Sequence, residues 1–344
     1  MRRPWWGPVP NDDQRAVLDL VDDLVEDRLE RADDDPDAVA VARRVLVEHG
    51  LWTLGADEAT GGGGADQRTT LLALARLAGT WPALAWASVQ AHAACLLLAD
   101  GGVEGGDLLA GVHQGQPLAV ADATDGQVEV AEGRVSGLLT RVDASATDAR
   151  VLALVDRETA VLLPSDAVRH GPVLRRTGLG GALSHPCSVQ GALPEGAVIH
   201  GPVVERARTL LFAGAAALAA GAAEAAAHAA VSYSGEREQF GGPLTDLPTV
   251  RTSLSTNVTA VRRLLVTALA ADADDLVATA AALAPALDDA IAVAAAAVQS
   301  HGGYGYMVEY RVEGLLRDLV SLRAASGATE AARWAADALV EAGA

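Results

Sequence analysis

Two glycine pairs in the second half of the chain mark a possible ligand site. Gly302 and Gly303 lie in the segment QSHGGYGY and follow Gln299 by about one helical turn. Because glycine has no Cβ, this backbone can lie close to a bulky ligand. The other pair, Gly241 and Gly242, ends the segment SGEREQFGG, which follows an alanine-rich stretch.

Polar and aromatic residues precede the second glycine pair. Arg237, Gln239 and Phe240 lie at the end of a segment rich in strong helix formers. The guanidinium of Arg237 can make a forked, charge-assisted contact with phosphate oxygens. Each feature alone also has an ordinary explanation, such as a helix-terminating turn at the glycines or a surface pair of Arg237 with Glu236.

Together, the two segments closely resemble the C-terminal domain of the acyl-CoA dehydrogenases. In that family, the arginine of R-x-Q-F-G and the Gln-Gly-Gly segment contact the FAD of the neighbouring subunit, around its pyrophosphate and adenosine. The resemblance implies that the following residues bind FAD: Arg237, Gln239, Phe240, Gln299, Gly302 and Gly303. The joint order and spacing, with Tyr310, Glu313, Arg317 and Asp318 following, favours descent from a flavin site.

The carboxylate that the family uses as catalytic base is missing from both of its usual places. Many members carry a glutamate nine residues after the arginine of an Arg-Asp pair, and the residue nine after Arg317 is Ser326. Other members carry it 26 residues before the R-x-Q-F-G arginine, where this chain has Leu211. A serine hydroxyl is too weak a base without a partner. Glu330 and Glu205 are the fallback candidates for a relocated base.

The contacts that a family member makes to the flavin with its own middle domain are poorly preserved. The place of the family motif Thr-Glu-Pro-x-x-Gly-Ser-Asp reads LAVADATDGQVEVAEGRVSG, and Thr140 is the remnant of the next flavin-facing segment. Among the residues that the family uses to contact the FAD of the neighbouring subunit, one polar residue is replaced by Pro248 in this chain. His301, Arg317 and Asp318 are interpreted as packing or structural residues and not as catalytic groups.

The sequence patterns of the helices and strands that must position these residues predict an α+β fold, mainly α. Residues 1–115 form an N-terminal helical domain, residues 116–204 a reduced β domain, and residues 205–344 a C-terminal four-helix bundle. The middle part has short alternating runs bounded by Gly, Asp and Pro, which predict antiparallel strands. This order is similar to the acyl-CoA dehydrogenase architecture, so the resemblance covers nearly the whole chain.

Composition and charge exclude several classes of partner. The net charge of −19 argues against general binding to nucleic acid or anionic membranes. The apolar stretch from 213 to 234 contains Glu224 and His228, so it predicts a buried bundle helix and not a membrane span. The N-terminus lacks the apolar run of a signal peptide, and we expect a cytoplasmic protein.

The cysteines and the cations give two further expectations. Cys95 and Cys187 are far apart and lack metal-type spacing, so we expect neither a disulfide framework nor a zinc site, and no metal. All 26 cationic side chains are arginines, which with the heavy use of Ala, Gly, Asp and Val suggests a GC-rich bacterial genome.

Three hypotheses for the function follow. In the first, the chain is the non-base subunit of a heteromeric acyl-CoA dehydrogenase, as in actinobacterial steroid side-chain degradation, and shares FAD with a homologous partner that carries the glutamate. In the second, it is a self-sufficient dehydrogenase whose base has moved to Glu330 or Glu205. In the third, it is a scaffold subunit that binds no flavin.

Overall fold

The structure is a computed structural model that describes residues 3–29, 31, 35–102, 106–124 and 128–341. Its first part is helical, and local capping explains where the helices begin. The side chains of Asn11, Asp35 and Asp66 each accept a hydrogen bond from a backbone N–H of the first turn that follows. The helices are α1 (Asp12–Asp27), α2 (Pro36–Glu48), α3 (Gln67–Ala78), α4 (Pro82–Asp100) and α5 (Gly106–His113).

In the part of the chain that the structure describes, the middle region forms two four-stranded sheets. Their strands are β1 (Leu118–Asp122), β2 (Val128–Ala131), β3 (Arg134–Val142), β4 (Arg150–Leu154), β5 (Thr159–Leu162), β6 (Val168–His170), β7 (His185–Ala192) and β8 (Val198–His200). The strand orders are β1-β4-β5-β8 and β2-β3-β7-β6. A small apolar core contains residues from both sheets, including Val151, Leu139 and Val189.

The predicted class, mainly α with a small β domain in the middle, is confirmed. Most strand pairs are antiparallel as expected, but β1 and β4 pair in parallel, with Leu118 opposite Arg150. Alternation of apolar and polar residues indicates strands without revealing their direction, which depends on how the chain returns to the sheet. The sequence also gave no sign of β6, which is three residues long.

The last part is a helical bundle around one long central helix. Its elements are α6 (Pro202–Glu236), β9 (Glu238–Gln239), β10 (Gly242–Pro243), α7 (Pro248–Ala268), α8 (Leu276–Ser300), α9 (Val312–Ala325) and α10 (Ala328–Glu341). Among the described residues, three helices, α4, α6 and α8, are long and apolar enough to cross a membrane by length and composition. However, the apolar windows of α4 and α6 are 89% and 94% buried inside the protein. Their apolar character therefore serves the core.

Helix α9 is the surface onto which the middle part docks. The buried carboxylate of Asp318 accepts hydrogen bonds from Arg31, at 2.8 Å, and from the backbone N–H of Leu179, at 2.6 Å. Arg317 forms a 2.6 Å ion pair with Glu313 one turn earlier. Both residues that were interpreted as structural therefore make structural contacts, and Asp318 fixes the loop before β7 against the bundle.

Candidate cofactor site

A tight hairpin follows the end of α6 and forms one wall of the site. Strands β9 and β10 pair antiparallel and are joined by Phe240 and Gly241, whose φ angles are +56° and +93°. Two successive positive φ angles are typical of a two-residue type I′ hairpin turn. The hairpin closes where the N–H of Leu244 donates to the carbonyl of Arg237, at 2.9 Å. Arg237 is thus fixed at the junction of helix and hairpin.

The end of α8 forms the opposite wall. Gln299 lies in its last turn and is exposed, and the chain then enters a short 3₁₀ helix over Gly302–Tyr306. Gly302 has a φ of +57°, a conformation that favours glycine. Gly303 does not have a positive φ, and no atom within the described residues lies within 4 Å of where its Cβ would be. The packing of this chain therefore does not require glycine at 303.

The two walls face each other across a cavity of about 390 Å³. Five of the six predicted FAD-binding residues line it: Arg237, Gln239, Gln299, Gly302 and Gly303. The sixth residue, Phe240, lies outside the cavity at the hairpin tip and is 86% exposed. The structure therefore brings together residues that are more than 60 positions apart in sequence.

Aromatic rings support the cavity from below. His301 is buried, its ring lies 4.3 Å from that of Tyr233 in a stacked arrangement, and its Nδ1 lies 2.7 Å from the carbonyl oxygen of Ala297. The guanidinium of Arg237 lies 5.6 Å from the ring centre of Tyr304, close enough for a cation–π contact. His301 packs against Tyr233 and also lines the cavity, which agrees with its interpretation as a packing residue.

Exposed apolar side chains directly adjoin cavity-lining residues in the sequence: Phe240 follows Gln239, and Tyr306 and Val308 flank Met307. Phe240, Tyr306 and Val308 are 86%, 87% and 70% exposed, and Met307 beside them is 44% exposed. Large apolar side chains grouped at the surface are typical of an interaction site. We call Phe240, Tyr306, Met307 and Val308 the apolar rim.

The expected positions of the base are occupied by residues with other roles. Leu211 is buried in the main core. Ser326 is buried at the end of α9, where the nearest acceptor of its hydroxyl is the carbonyl of Arg323, at 3.5 Å. Glu205 forms an ion pair with Arg157. Glu330 lines a second cleft of about 210 Å³, together with Thr140 and Gly327.

The chain matches two family models, the acyl-CoA dehydrogenase N-terminal domain over residues 11–104 and the acyl-CoA dehydrogenase C-terminal domain over residues 206–336. It belongs to the acyl-CoA dehydrogenase family. No curated protein matches the sequence. Solved structures share its fold over nearly the full length of both chains.

Three of these structures illustrate the range of similarity. Butyryl-CoA dehydrogenase from Megasphaera elsdenii is 22% identical, with 97% of this chain and 99% of that chain covered and a TM-score of 0.79. Glutaryl-CoA dehydrogenase from Mycobacterium smegmatis in complex with FADH2 is 16% identical, with coverages of 96% and 95% and a TM-score of 0.82. PigA with FAD and proline is 15% identical, with coverages of 96% and 98% and a TM-score of 0.81. At these identities, the comparison shows the fold alone.

The cleft that contains Glu330 also contains two carboxylates that the sequence analysis did not single out. Asp143 is 8% exposed and accepts from Arg141 at 2.7 Å and from Arg176 at 2.9 Å. Asp122 accepts from Arg208 at 3.2 Å. Arginines contact both oxygens of Asp143, whereas Asp122 accepts from Arg208 on one oxygen and from Thr124 on the other. Their position at strand ends is the sequence signal that could have identified them, since Asp122 ends the run LAVAD and Asp143 directly follows β3.

Trp86 is a further residue of this cleft that sequence analysis missed. It lies on α4, is 4% exposed, and its indole N–H has no hydrogen-bond partner among the described residues. A buried indole N–H normally has a partner. This donor therefore suits an acceptor atom of a molecule bound in the cleft, but nothing in the local sequence PALAWAS distinguishes it from a core tryptophan.

The FAD that the family implies fits one half of the site better than the other. Around the 390 Å³ cavity, an arginine, two glutamines and a Cβ-free backbone suit a pyrophosphate and a nucleoside. We assign the ring end to the 210 Å³ cleft because Thr140, the remnant of a flavin-facing family segment, lines it. This cleft is smaller than typical ligand pockets of about 300–1,000 Å³ and is lined by three carboxylates, those of Asp122, Asp143 and Glu330. The nucleotide end fits the residues that are present, whereas the ring end does not.

Proposed function

We propose that this protein is the FAD-contacting, non-base subunit of a heteromeric acyl-CoA dehydrogenase. One observation carries the proposal: five of the six residues named for the nucleotide end line one cavity, whereas the cleft assigned to the reactive ring is small and neither usual base position holds a glutamate. A homologous partner that carries the glutamate and the ring contacts would complete the second half. Sharing one FAD between two subunits thus explains why the nucleotide half of the site is preserved in this chain and the ring half is not.

The residues of this chain would bind and orient the cofactor. Arg237 neutralises charge on the pyrophosphate, and Gln239 and Gln299 offer polar contacts to the nucleotide. Gly303 leaves the space that the nucleotide needs. The apolar rim, which contains Phe240, excludes water where the partner subunit covers the cavity.

The flavin, when bound, supplies hydride acceptance during α,β-dehydrogenation of an acyl-CoA thioester. Removal of the α-proton needs a carboxylate held close to the substrate, and such general-base catalysis contributes ~10²- to 10⁴-fold. Since Ser326 and Leu211 occupy the base positions, the partner must provide this group. We propose a bulky CoA ester as substrate, with a steroid side-chain CoA ester as the leading candidate, and a cytoplasmic location.

A second function is favoured by one observation, the position of Glu330. Its carboxylate lines the cleft in the first turn of α10, so a self-sufficient dehydrogenase with a relocated base remains an alternative. However, Glu330 is exposed to solvent, whereas a catalytic carboxylate normally gains basicity in a dry site. Glu205 has less support, since it pairs with Arg157 and does not line the cleft.

The experiment compares the chain alone with the chain co-produced with acyl-CoA dehydrogenase homologues encoded beside its gene. Flavin absorbance and dye reduction by acyl-CoA thioesters are measured on the purified proteins. We expect the chain alone to be nearly colourless and inactive, and one pair to be yellow and active. Strong activity of the isolated chain would support a relocated base instead, and colourless pairs would indicate a scaffold that binds no flavin.

Two arginine variants test whether the cavity contributes to FAD retention. Arg237→Ala should reduce FAD retention by the pair at least ~10-fold, because a charge-assisted phosphate contact contributes about 1.5–3 kcal/mol. Arg251→Ala is the matched control, since Arg251 is an exposed arginine at the start of the next helix and does not line the cavity. Equal retention in the two variants would show that Arg237 is only structural.

A further inference from the structure

Three metal-ligating side chains meet at one edge of the second sheet, away from both flavin-related cavities. His170 lies on β6 and is directly opposite Cys187 of the neighbouring β7. His185 precedes Cys187 by two residues on the same strand, so both point to the same face. His185 and Cys187 are fully buried, and His170 is partly exposed.

Their ligand atoms are already close together. Nδ1 of His170 lies 2.9 Å from Nε2 of His185 and 3.4 Å from Sγ of Cys187. All three atoms lie within 4.8 Å of one another. A tetrahedral zinc ion, with Zn–N bonds of about 2.0 Å and Zn–S bonds of about 2.3 Å, places such atoms about 3.3–3.6 Å apart.

We propose that His170, His185 and Cys187 form a Zn²⁺ site. Imidazole and thiolate are the ligands that zinc prefers, and three protein ligands leave the fourth position of a tetrahedral ion to water. To bind the ion, the two ring nitrogens must move apart by a few tenths of an ångström from their distance of 2.9 Å. The ring of His170 can make this movement because it is partly exposed. The same exposure gives the ion a path of entry.

The surroundings of the cluster meet the further requirements of a metal site. Nδ1 of His185 lies 2.8 Å from the carbonyl oxygen of Leu183, so it carries the proton and leaves the lone pair on Nε2 facing the other ligands. Burial raises the pKa of the Cys187 thiol to about 11. The zinc ion must therefore displace the thiol proton, which leaves to solvent.

No zinc site was expected from the sequence, because Cys95 and Cys187 are far apart and lack metal-type spacing. Cys187 and His185 stand in the pattern H-P-C, and the third ligand precedes them by 15 residues. Strand pairing brings this ligand next to Cys187. The sequence did not predict β6. Only the register of β6 with β7 shows that the three side chains lie together.

The test uses the full chain without a histidine tag, after removal of metals with a chelator. Co²⁺ serves as the spectroscopic probe, and Zn²⁺ then displaces it. We expect one equivalent of Co²⁺ to bind with visible bands of a tetrahedral ion and a near-ultraviolet thiolate-to-cobalt absorption. Zn²⁺ should also raise the melting temperature, and the chelator should reverse the increase.

Three variants decide whether these residues are the ligands. Cys187→Ser should abolish the thiolate absorption, and His170→Gln should weaken binding at least ~10-fold, the lower end of the loss for a disturbed metal site. Cys95→Ser is the matched control, since Cys95 is the other buried thiol and belongs to no three-residue ligand group among the described residues. It should leave the spectrum unchanged.

Two results would overturn the zinc site. One is the absence of the thiolate absorption from the wild-type chain at micromolar Co²⁺. The other is a wild-type spectrum in Cys187→Ser. Circular dichroism of each variant confirms that it folds, and the partly exposed His170 provides a test that does not disturb the buried strand.

Discussion

At the scale of single residues, Gly303 separates what the fold needs from what a ligand needs. Its neighbour Gly302 has a positive φ, so a side chain there would strain the backbone. Gly303 has neither a positive φ nor a described neighbour within 4 Å of its missing Cβ. An added methyl group at 303 would thus leave the chain undisturbed and enter the space assigned to the nucleotide.

We predict that Gly303→Ala lowers FAD retention by the heteromeric complex by at least ~10-fold and leaves the melting temperature of the chain within about 2 °C of wild type. The reason is a clash with the ligand and not with the protein. Flavin absorbance after gel filtration and calorimetry of the isolated chain measure the two effects. Gly314→Ala in α9 is the control, because the only described neighbour of its missing Cβ is Nη2 of Arg317, at 3.8 Å. Unchanged flavin content in Gly303→Ala would contradict the placement of the nucleotide.

Ser326 and Glu330 distinguish the two hypotheses about the base. Ser326→Ala should change the turnover rate of the complex less than about twofold, since an unassisted hydroxyl supplies no general base. Glu330→Gln should likewise have little effect if the partner supplies the base, whereas a relocated base predicts a loss of ~10²- to 10⁴-fold. Dye-reduction rates at saturating acyl-CoA measure both. A large loss in Ser326→Ala alone would require a role for that hydroxyl which the buried position does not suggest.

At the scale of elements, the close approach of α6 to α3 depends on one glycine. A Cβ at Gly221 would lie 1.8 Å from the carbonyl oxygen of Ala75, a backbone atom that does not move without the helix. Gly235, near the end of the same helix, has no described neighbour within 4 Å of its missing Cβ. The two glycines thus lie on the same helix, but only Gly221 is packed too tightly to accept a side chain.

We predict that Gly221→Ala destabilises the chain by about 3 kcal/mol or more, because the two helices must separate. Gly235→Ala should instead be neutral or stabilise by up to about 1 kcal/mol, since alanine favours a helix. Urea denaturation followed by circular dichroism gives both free energies of unfolding. Equal stability of the two variants would show that α6 tolerates a wider spacing from α3.

The sequence predicted elements well where their signal is local. The apolar stretch from 213 to 234, for example, was expected to form a buried bundle helix, and it lies within α6, which spans Pro202–Glu236. Strand β6 and the parallel pairing of β1 with β4 were missed, because both depend on contacts between distant segments. The same limit applies to the zinc cluster and to Asp143, whose surroundings are assembled by the sheet register.

The candidate cofactor site shows both sides of this limit. Arg237 and Gly302 were found because a family pattern fixes their order in the sequence. Five of the six residues named from that pattern line one cavity, although binding of FAD by them stays a prediction. Nothing in the sequence showed that the N–H of Trp86 has no partner among the described residues or that the cleft beside it has a volume of only about 210 Å³, since both depend on packing between distant segments.

At the scale of the whole molecule, a buried histidine links folding stability to pH. His92 on α4 is 4% exposed, and its Nε2 accepts from the backbone N–H of Gly55, at 3.0 Å. Its Nδ1 lies 2.7 Å from the carbonyl of Ser88, so the neutral ring satisfies both partners. Burial, opposed by the contact with Ser88 and assisted by nearby His113, lowers the pKa of His92 to about 4 from 6.5.

The depressed pKa determines the sign of the effect. Below pH 6.5 the unfolded chain binds a proton at this residue and the folded chain does not, so stability is fully present above that pH and decreases as the pH falls towards 4. We predict that His92 alone lowers the free energy of unfolding by about 2 kcal/mol from pH 7 to pH 5. His113, His170 and His228 also have pKa values lowered by burial, so they add to the same trend. The contribution of His92 must therefore be measured as a difference between variants.

His92→Gln removes the titrating group and keeps an oxygen that accepts from Gly55. Its free energy of unfolding should fall by about 2 kcal/mol less than that of the wild type between pH 7 and pH 5, whatever its stability at pH 7. His200→Gln changes an exposed histidine and should retain the wild-type slope. Urea denaturation at several pH values gives the slopes. Parallel curves for wild type and His92→Gln would show that the His92 ring accepts a proton in the folded chain as readily as in the unfolded one, and that the contact with Gly55 does not hold it neutral.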